Sequence, residues 1–179
     1  MDLPILETQR LILRKMTPED AEHMFEYASD FEVTRYVSWN PHTSVRDSER
    51  FVLSMIETYK TKAPSSWGIV HKHSAKLIGT IGFVSVDRTH SRAEVGFALG
   101  RKYWSQGLMT EALGEVLRFS FSDMGLNRVV AKCFVENTGS ERVMQKVGMK
   151  FEGVCREEAL IKGKFVDLKQ YAILRSEFI

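Results

Sequence analysis

The segment YWSQGLMTEAL, residues 103–113, joins a strand-like run that ends at Leu99 to an amphipathic helix predicted to start near Thr110. Gly107 in this turn lets the chain take backbone angles that other residues avoid and pass close to an anion. The first backbone N–H groups of a helix have no helical acceptor, and the helix dipole adds positive potential there. The segment is neither a dinucleotide-fold fingerprint nor a P-loop. It predicts a strand–turn–helix unit that either binds phosphate or is a plain connection.

The composition is that of an ordinary globular chain and excludes several classes of protein. The 179 residues are 44% hydrophobic and 27% charged, with a formal net charge of +2. We therefore expect one domain, residues 1–179, and no nucleic acid as a partner. The two cysteines, Cys133 and Cys155, form neither a disulfide framework nor a metal knuckle. No signal peptide or membrane-spanning run is visible, which predicts a cytoplasmic protein that does not bind membranes.

Hydrophobic periodicity predicts strands and helices along the whole chain. Alternation predicts strands at 11–14, 67–70, 77–86, 94–99, 129–135, 151–159 and 165–174. Capping residues and apolar spacing predict helices after Thr17, after Thr43 or Ser44, after Gly107 and between 137 and 147. The strands between 67 and 99 form an antiparallel meander, and a right-handed crossover makes 94–99 and 129–135 parallel neighbours. The pattern predicts an α/β fold, with one mixed sheet and helices on both faces.

The two parallel strands raise the question of a binding cleft. If they splay apart at the end nearest Gly107, unpaired backbone groups line a cleft that an amide-bearing pantetheine arm could enter. If they pair fully, no cleft exists. Asn137 and Ser140, which follow the second strand, either cap a helix or face a ligand. Cys133 within that strand is interpreted as a small core residue, with a nucleophile as the alternative.

Two carboxylates and the histidines complete the candidate chemistry. Glu94, at the start of its strand, is either solvated or a proton acceptor that faces the cleft, directly or through water. Gly96 indicates a bulge or a close approach of another group. Asp167 lies among apolar positions and needs a partner; we favour a structural role, holding a Lys, an Arg or a backbone group, over binding of a cationic substrate. The histidines lack metal-ligand spacing, so no metal site is expected.

Several segments of the chain match a known family in order and register. They are ETQRLILRKMTPEDAEHMFEY, the region of Trp39 and His42 to Ser44, AEVGFAL (93–99), YWSQGLMTEAL (103–113), LNRVVAKCFVENTGSERVMQKVGMKFEG (126–153) and FVDLKQYAIL (165–174). Together they resemble the GNAT superfamily of acyl-CoA-dependent N-acetyltransferases, and within it the ribosomal-protein alanine and serine N-terminal acetyltransferases. The resemblance implies the GNAT fold, an antiparallel meander followed by splayed parallel strands. The chain departs from the superfamily's Q/R-x-x-G-x-G/A pattern at Trp104 and at Met109, which still offers its N–H.

The resemblance also implies roles for individual residues. Asn137 would bond the pantetheine arm, and Ser140 would be the candidate acid near the departing thiolate. We take Glu94 as the candidate base, acting through a water, with Glu158 as the weaker candidate. The residues implied to contact the cofactor through their backbones are Phe97, Ala98 and Leu99 on the pantetheine arm, and Ser105, Gln106, Gly107, Leu108, Met109 and Thr110 on the pyrophosphate.

We therefore expect an enzyme that transfers an acetyl group from acetyl-CoA, its co-substrate, to a primary amine without a metal. The resemblance implies a protein N-terminal α-amino group, as in ribosomal proteins, as the acceptor. The alternatives are a small amine (a polyamine, amino acid or antibiotic) and a non-catalytic acyl-CoA-binding module on the same fold. Phe31, Tyr36 and Trp39 are expected on the acceptor side, and a homodimer is a further expectation because twofold assemblies are common.

Overall fold

A computed structural model describes residues 3–61 and 63–178 of the chain. Its strands, in chain order, are β1 Leu6–Glu7, β2 Leu11–Arg14, β3 Ser66–His71, β4 Lys76–Asp87, β5 Arg92–Leu99, β6 Arg128–Phe134, β7 Lys150–Ile161 and β8 Lys164–Leu174. Its helices are α1 Ala21–Ala28, α2 Phe31–Thr34, α3 Val45–Tyr59, α4 Leu108–Ser122 and α5 Thr138–Lys146. Short 3-10 turns lie before α1, between β5 and α4, and after β8.

Within these residues, the strands form one mixed sheet in the order β1-β2-β3-β4-β5-β6-β8-β7. β3, β4 and β5 form the predicted antiparallel meander, and β5 and β6 are the predicted parallel neighbours. β8 lies between β6 and β7 and is antiparallel to both. The predicted mixed α/β sheet is therefore confirmed, and the extent of a single domain over residues 1–179 stays a prediction.

Helices cover both faces of the sheet because successive strand residues point to opposite sides. Ile78 lies in the large core with the apolar residues of α4, whereas its neighbour Leu77 packs with α1 and α3 in a second core. Leu113 and Val116 of α4 are fully buried, and burial of each such side chain stabilises the fold by about 1.5–3 kcal/mol. Across the described ranges, no helix combines the length and apolar character needed to cross a membrane.

Local capping signals place the first helices, with two differences from the sequence expectation. Thr17 begins a 3-10 turn that leads into α1, and Ser44 is the N-cap of α3. The apolar spacing predicts Ala21, Met24, Phe25 and Ala28 as the buried face of α1. In the structure Tyr27 is buried and Phe25 is only half-buried, so the buried face is rotated slightly from the predicted one. Residues 30–43 show no helical or strand period, which predicts an irregular segment. They nevertheless contain the single turn of α2, which Asp30 caps by accepting the Glu32 N–H at 3.0 Å.

The irregularity expected at Gly96 lies in the neighbouring strand. The register between β4 and β5 shifts between Phe83 and Ser85, which makes Val84 the extra residue. A Cβ atom on Gly96 would lie 3.0 Å from Val84 Cγ2. The close approach predicted at Gly96 is therefore confirmed. The bulge lies in β4, and the missing side chain of Gly96 leaves room for it. β5 itself begins at Arg92, before Glu94.

Candidate active site

The turn before α4 leaves backbone N–H groups without partners in the helix. Ser105 and Gly107 take left-handed φ angles of 60° and 76°, and α4 begins at Leu108, earlier than the start predicted near Thr110. The side chains of Leu108 and Met109 pack into the large core. The bulk of Met109 therefore does not fill the turn. The N–H groups of this first helical turn, together with the helix dipole, suit an anion.

The loop between β1 and β2 supports this turn from the side. Arg10 Nη1 donates to the Gln106 carbonyl at 3.0 Å, and Arg10 Nε donates to Glu111 at 2.7 Å. Thr8 Oγ1 donates to the same carboxylate. Burial alone would raise the pKa of Glu111, but the hydrogen bonds from Thr8 and Arg10 outweigh it and the pKa is lowered. Because the Glu111 charge is paired with Arg10, its repulsion of an anion at the helix start is reduced.

β5 and β6 separate beside this turn. Their pairing runs from Arg92 with Arg128 to Val95 with Ala131 and stops there. Both strands continue beyond that point, to Leu99 and Phe134. The predicted splaying is therefore confirmed, and the cleft lies between the carboxyl ends of the two strands.

The backbone groups of β5 do not all face this cleft. Gly100 donates its N–H to a carbonyl of β4 at 2.8 Å, and alternation along an antiparallel strand directs the backbone groups of Ala98 to the same side. Those of Phe97 and Leu99 point toward the gap. Trp104 Nε1 donates to the Leu99 carbonyl at 2.7 Å, so that carbonyl already has one donor. Pantetheine contact by the three residues stays a prediction, for which Phe97 and Leu99 are better placed than Ala98.

Asn137 and Ser140 form the N-terminal cap of α5. Asn137 Oδ1 accepts the Ser140 N–H at 3.1 Å, and Asn137 Nδ2 donates to Ser140 Oγ at 3.0 Å. The capping alternative is thus what the structure shows. Because Ser140 Oγ accepts in this bond, its own proton is free to be donated elsewhere. A role for either residue toward a ligand stays a prediction.

Glu141, the next residue of α5, anchors the helix to β8. Its carboxylate accepts from Tyr171 Oη at 2.6 Å and from Lys169 Nζ at 2.9 and 3.0 Å. The hydrogen bonds from Tyr171 and Lys169 lower the pKa of Glu141. These contacts fix the start of α5 against the sheet, next to the end of β6.

Lys132 joins the two candidate bases, Glu94 and Glu158. Its ammonium lies 3.5 Å from Glu94 Oε2 and hydrogen-bonds Glu158 Oε1. Burial alone would lower the pKa of Lys132, but the hydrogen bond that it donates to Glu158 and the charge of Glu94 raise it. Val95 and Ala131 are buried in the core that contains α4, so Glu94 and Lys132 project from the opposite face. Lys132 carries no local signal in the sequence, because only the sheet order brings it to both carboxylates.

Cys133 and Asp167 have the structural environments that the sequence analysis favoured. Cys133 is 5% exposed, and burial raises the pKa of its thiol to about 11. A neutral thiol in the core is a poor nucleophile. Asp167 is exposed rather than enclosed by apolar side chains. Its Oδ1 accepts the backbone N–H of Glu157 at 2.8 Å, so its partner is a backbone group rather than a cation.

The histidines lie apart from any metal-ligand arrangement. Within the described ranges, no group of His, Cys, Asp and Glu side chains could hold a metal ion. The rings of His71 and His73 lie 6.3 Å apart, centroid to centroid, and His71 Nδ1 lies 3.2 Å from Ser74 Oγ. His42 is paired with Ser48 at 2.8 Å.

Two of the three aromatic residues expected on the acceptor side pack against the protein. The ring of Tyr36 lies 5.6 Å from that of Phe134, at the end of β6. Trp39 packs on the second core, whereas Phe31 is 63% exposed. Tyr36 therefore brings the segment between α2 and α3 to the edge of the cleft, on the face that carries Lys132.

The chain matches one family model, described as an acetyltransferase (GNAT) domain, over residues 10–150. It therefore belongs to the GNAT acetyltransferase family. The uncharacterized N-acetyltransferase YoaA of Bacillus subtilis is 37% identical over 172 residues, which cover 96% of this chain and 97% of that protein. The chain is accordingly an acetyltransferase. Two acetyltransferases of similar fold, RimL and MccE, have been solved in complex with CoA and with acetyl-CoA, respectively.

A solved structure and a more distant relative extend this comparison. The crystal structure of a GNAT-family acetyltransferase from Bacillus anthracis is similar with a TM-score of 0.85 and 30% identity, covering 97% of this chain and 100% of that one. The [ribosomal protein uS5]-alanine N-acetyltransferase of Escherichia coli is 27% identical over 172 residues, or 90% of this chain and 86% of that protein. The GNAT fold expected from the sequence is thereby confirmed.

Proposed function

We propose that this acetyltransferase transfers an acetyl group from acetyl-CoA to the α-amino group of a protein N-terminus, by direct attack in a ternary complex. The observation that carries the proposal is the gap between β5 and β6. The start of α4, suited to an anion, lies at this gap, and Glu94 and Glu158 lie on the face opposite α4. A donor with phosphates at one end and a reactive acyl group at the other fits such a gap.

The donor is held chiefly by backbone groups in this proposal. The amides of residues 105–110 bind the pyrophosphate, and Phe97 and Leu99 pair with the amides of the pantetheine arm. Asn137 retains one amide hydrogen beyond its bond to Ser140, and this hydrogen is available to a pantetheine carbonyl. Acetyl-CoA supplies an acyl group that is already activated as a thioester.

The chemistry then needs little from individual side chains. An α-amino group has a reference pKa of ~7.7–8.0, so roughly a tenth to a fifth of the acceptor is neutral at pH 7. As the amide forms, the attacking nitrogen loses one proton, which Glu94 accepts through a water. Ser140 donates its proton to the departing thiolate and is reprotonated from solvent. A thiol has a reference pKa near ~8.5, so the thiolate leaves readily and positioning of the two substrates supplies most of the rate.

Two observations support an N-terminal amine as the acceptor. The relative from Escherichia coli acts, by its name, on an alanine of ribosomal protein uS5. Glu94, Lys132 and Glu158 together carry a formal charge of −1 (two carboxylates and one ammonium), which favours the approach of an α-ammonium group. The ring of Tyr36, which packs on Phe134 two residues beyond Lys132 on β6, offers apolar surface for the residues that follow the amine.

The test is a turnover assay with acceptors that differ only in their amine. Release of free CoA thiol is followed with peptides beginning with Ala or Ser, with the same peptides blocked at the α-amino group, and with a panel of polyamines and amino acids. We expect turnover with the free peptides, none with the blocked ones, and a mass gain of one acetyl group at the N-terminus.

Turnover confined to small amines would overturn the peptide acceptor while leaving the acetyltransferase intact. Acetylation of a lysine side chain in the blocked peptides would overturn the α-amino preference. Thermal stability measured with CoA accompanies each assay, because absence of a shift on CoA addition would contradict the proposed donor site.

A further inference from the structure

The hairpin of β7 and β8 contains a bulge beside the candidate site. Cys155 pairs with Leu168 and Ala159 pairs with Val166. Residues 156–158 of β7 therefore lie opposite a single residue of β8. Glu157, in the middle of the bulge, has a φ angle of 49°. This conformation is unfavourable for a residue other than glycine and persists only where the surroundings hold it.

Asp167 is the single residue of β8 opposite this bulge. Its Oδ1 accepts the Glu157 N–H at 2.8 Å, so the carboxylate satisfies a backbone donor that the broken ladder leaves unpaired. The strained conformation of Glu157 and the hydrogen bond from its N–H to Asp167 thus belong to one arrangement. Bulges redirect the side chains around them, and the residue that follows Glu157 is Glu158.

Glu158 makes a contact that is unusual for a residue on β7. β8 lies between β7 and β6, so the backbones of β7 and β6 are about 9–10 Å apart in a regular sheet. Glu158 nevertheless hydrogen-bonds Lys132 on β6. Lys132 in turn contacts Glu94 on β5, next to the point where β5 and β6 separate.

We propose that Asp167 is a positioning residue, which holds the bulge of residues 156–158 so that Glu158 reaches Lys132 and completes the acceptor side of the cleft. The assignment rests on the proposed function, because it treats Glu94, Lys132 and Glu158 as the place where the acceptor amine arrives. Asp167 itself contacts neither substrate. Its effect on the reaction passes through the Glu157 backbone to Glu158.

The test is a double-mutant cycle between Asp167 and Glu158 in the full chain. Asp167→Ala is expected to lower kcat/KM for the peptide acceptor by about tenfold, the factor that follows from loss of one hydrogen bond to a charged group. The Kd for CoA should stay unchanged. Asp167→Asn keeps an acceptor oxygen and should retain most of the activity. In the Glu158→Gln background, Asp167→Ala should have little further effect, because the two residues act in one chain of contacts.

A matched control removes an equivalent bond elsewhere. Asp87 Oδ1 accepts the His90 N–H at 3.0 Å in the hairpin of β4 and β5. Asp87→Ala removes this bond together with the side-chain contacts to His90 and Arg92, and it should leave kcat/KM unchanged. Hydrogen exchange at the Glu157 amide gives a readout independent of activity: it should accelerate in Asp167→Ala and stay slow in Asp167→Asn.

Three results of these experiments would contradict the positioning role of Asp167. Wild-type activity in Asp167→Ala, or equal losses in the wild-type and Glu158→Gln backgrounds, would overturn the positioning role while leaving the proposed function intact. A loss in Asp167→Asn as large as in Asp167→Ala would also overturn it, because the acceptor oxygen would then be irrelevant. A wild-type protein that binds acetyl-CoA and acetylates no amine would overturn the proposed function and this assignment together.

Discussion

Replacement of Gly107 by alanine tests whether the turn before α4 matters for CoA binding beyond its effect on the stability of the fold. Gly107 has a φ angle of +76°, and a Cβ atom there would lie 3.6 Å from Arg10 Nη2, an ordinary contact. The substitution therefore causes strain without a clash. A left-handed conformation costs a non-glycine residue about 1–2 kcal/mol, which corresponds to a fall of about 2–8 °C in Tm for a chain of this size.

The same substitution should weaken CoA binding more than it weakens the fold. If the strained turn relaxes, the N–H groups at the start of α4 rotate away from a common point. Loss of one hydrogen bond to a charged phosphate is worth about 1.5–3 kcal/mol, or roughly a tenfold to hundredfold rise in Kd. We therefore expect Gly107→Ala to bind CoA weakly while the protein stays folded at 25 °C.

Gly125 provides the matched control, because it has a φ angle of +70° and open space around it. Gly125→Ala should lose a similar amount of thermal stability and keep the wild-type Kd for CoA. Calorimetric titration with CoA and thermal unfolding of the three proteins make the comparison. Equal CoA affinity in Gly107→Ala and wild type would refute the phosphate role of the turn, and equal weakening in both variants would attribute the effect to general destabilisation.

Three further substitutions or treatments probe the site and the fold. Asp20 is 3% exposed and accepts two hydrogen bonds from Arg14, at 2.7 and 2.8 Å. Asp20→Asn should lower the free energy of unfolding by about 3 kcal/mol, the lower end for a broken buried pair because Arg14 is partly exposed; a loss below about 1 kcal/mol in urea unfolding would contradict this. Burial raises the pKa of Cys133 to about 11, so at pH 8 roughly one molecule in a thousand carries the thiolate. Iodoacetamide should therefore modify Cys133 far more slowly in the folded protein than in urea, and equal rates by mass spectrometry would show that it is accessible. Ser140→Ala should lower kcat by about twofold to tenfold, a modest loss because a thiolate leaves readily, with KM for acetyl-CoA unchanged; an unchanged kcat would remove Ser140 from the mechanism.

Periodicity and capping predicted the long elements of this fold because those signals are local. Ser44 and Gly107 mark helix starts in the sequence and in the structure, and the meander follows from strands joined by short polar turns. β1 has only two residues, Leu6–Glu7, too few for any alternation to be visible. α2 is one turn held by the Asp30 cap, so its sequence gives no helical period.

The candidate site was predictable where it depends on local chemistry and not where it depends on sheet order. The turn at Gly107 is visible in the sequence because glycine permits its φ angle. The bulge of β7 has Glu157 at the left-handed position, and no glycine marks it. Lys132 meets Glu94 across the paired strands β5 and β6, and it meets Glu158 from β7, which is two strands away in the sheet order. These contacts depend on long-range strand pairing, and the hydrophobic pattern of a single strand carries no information about its partners.

The separation of β5 from β6 also has a mechanical consequence. Among the described residues, β5 and β6 pair through four residue pairs, from Arg92 with Arg128 to Val95 with Ala131. This short ladder joins the half of the sheet formed by β1 to β5 to the half formed by β6, β8 and β7. Local stability varies across a protein, and short ladders with unpaired neighbours open most easily. A ligand in the gap that hydrogen-bonds the unpaired backbone groups of β5 would therefore stabilise the junction between the two halves of the sheet. The rigidity of the sheet would then depend on the concentration of this ligand in solution.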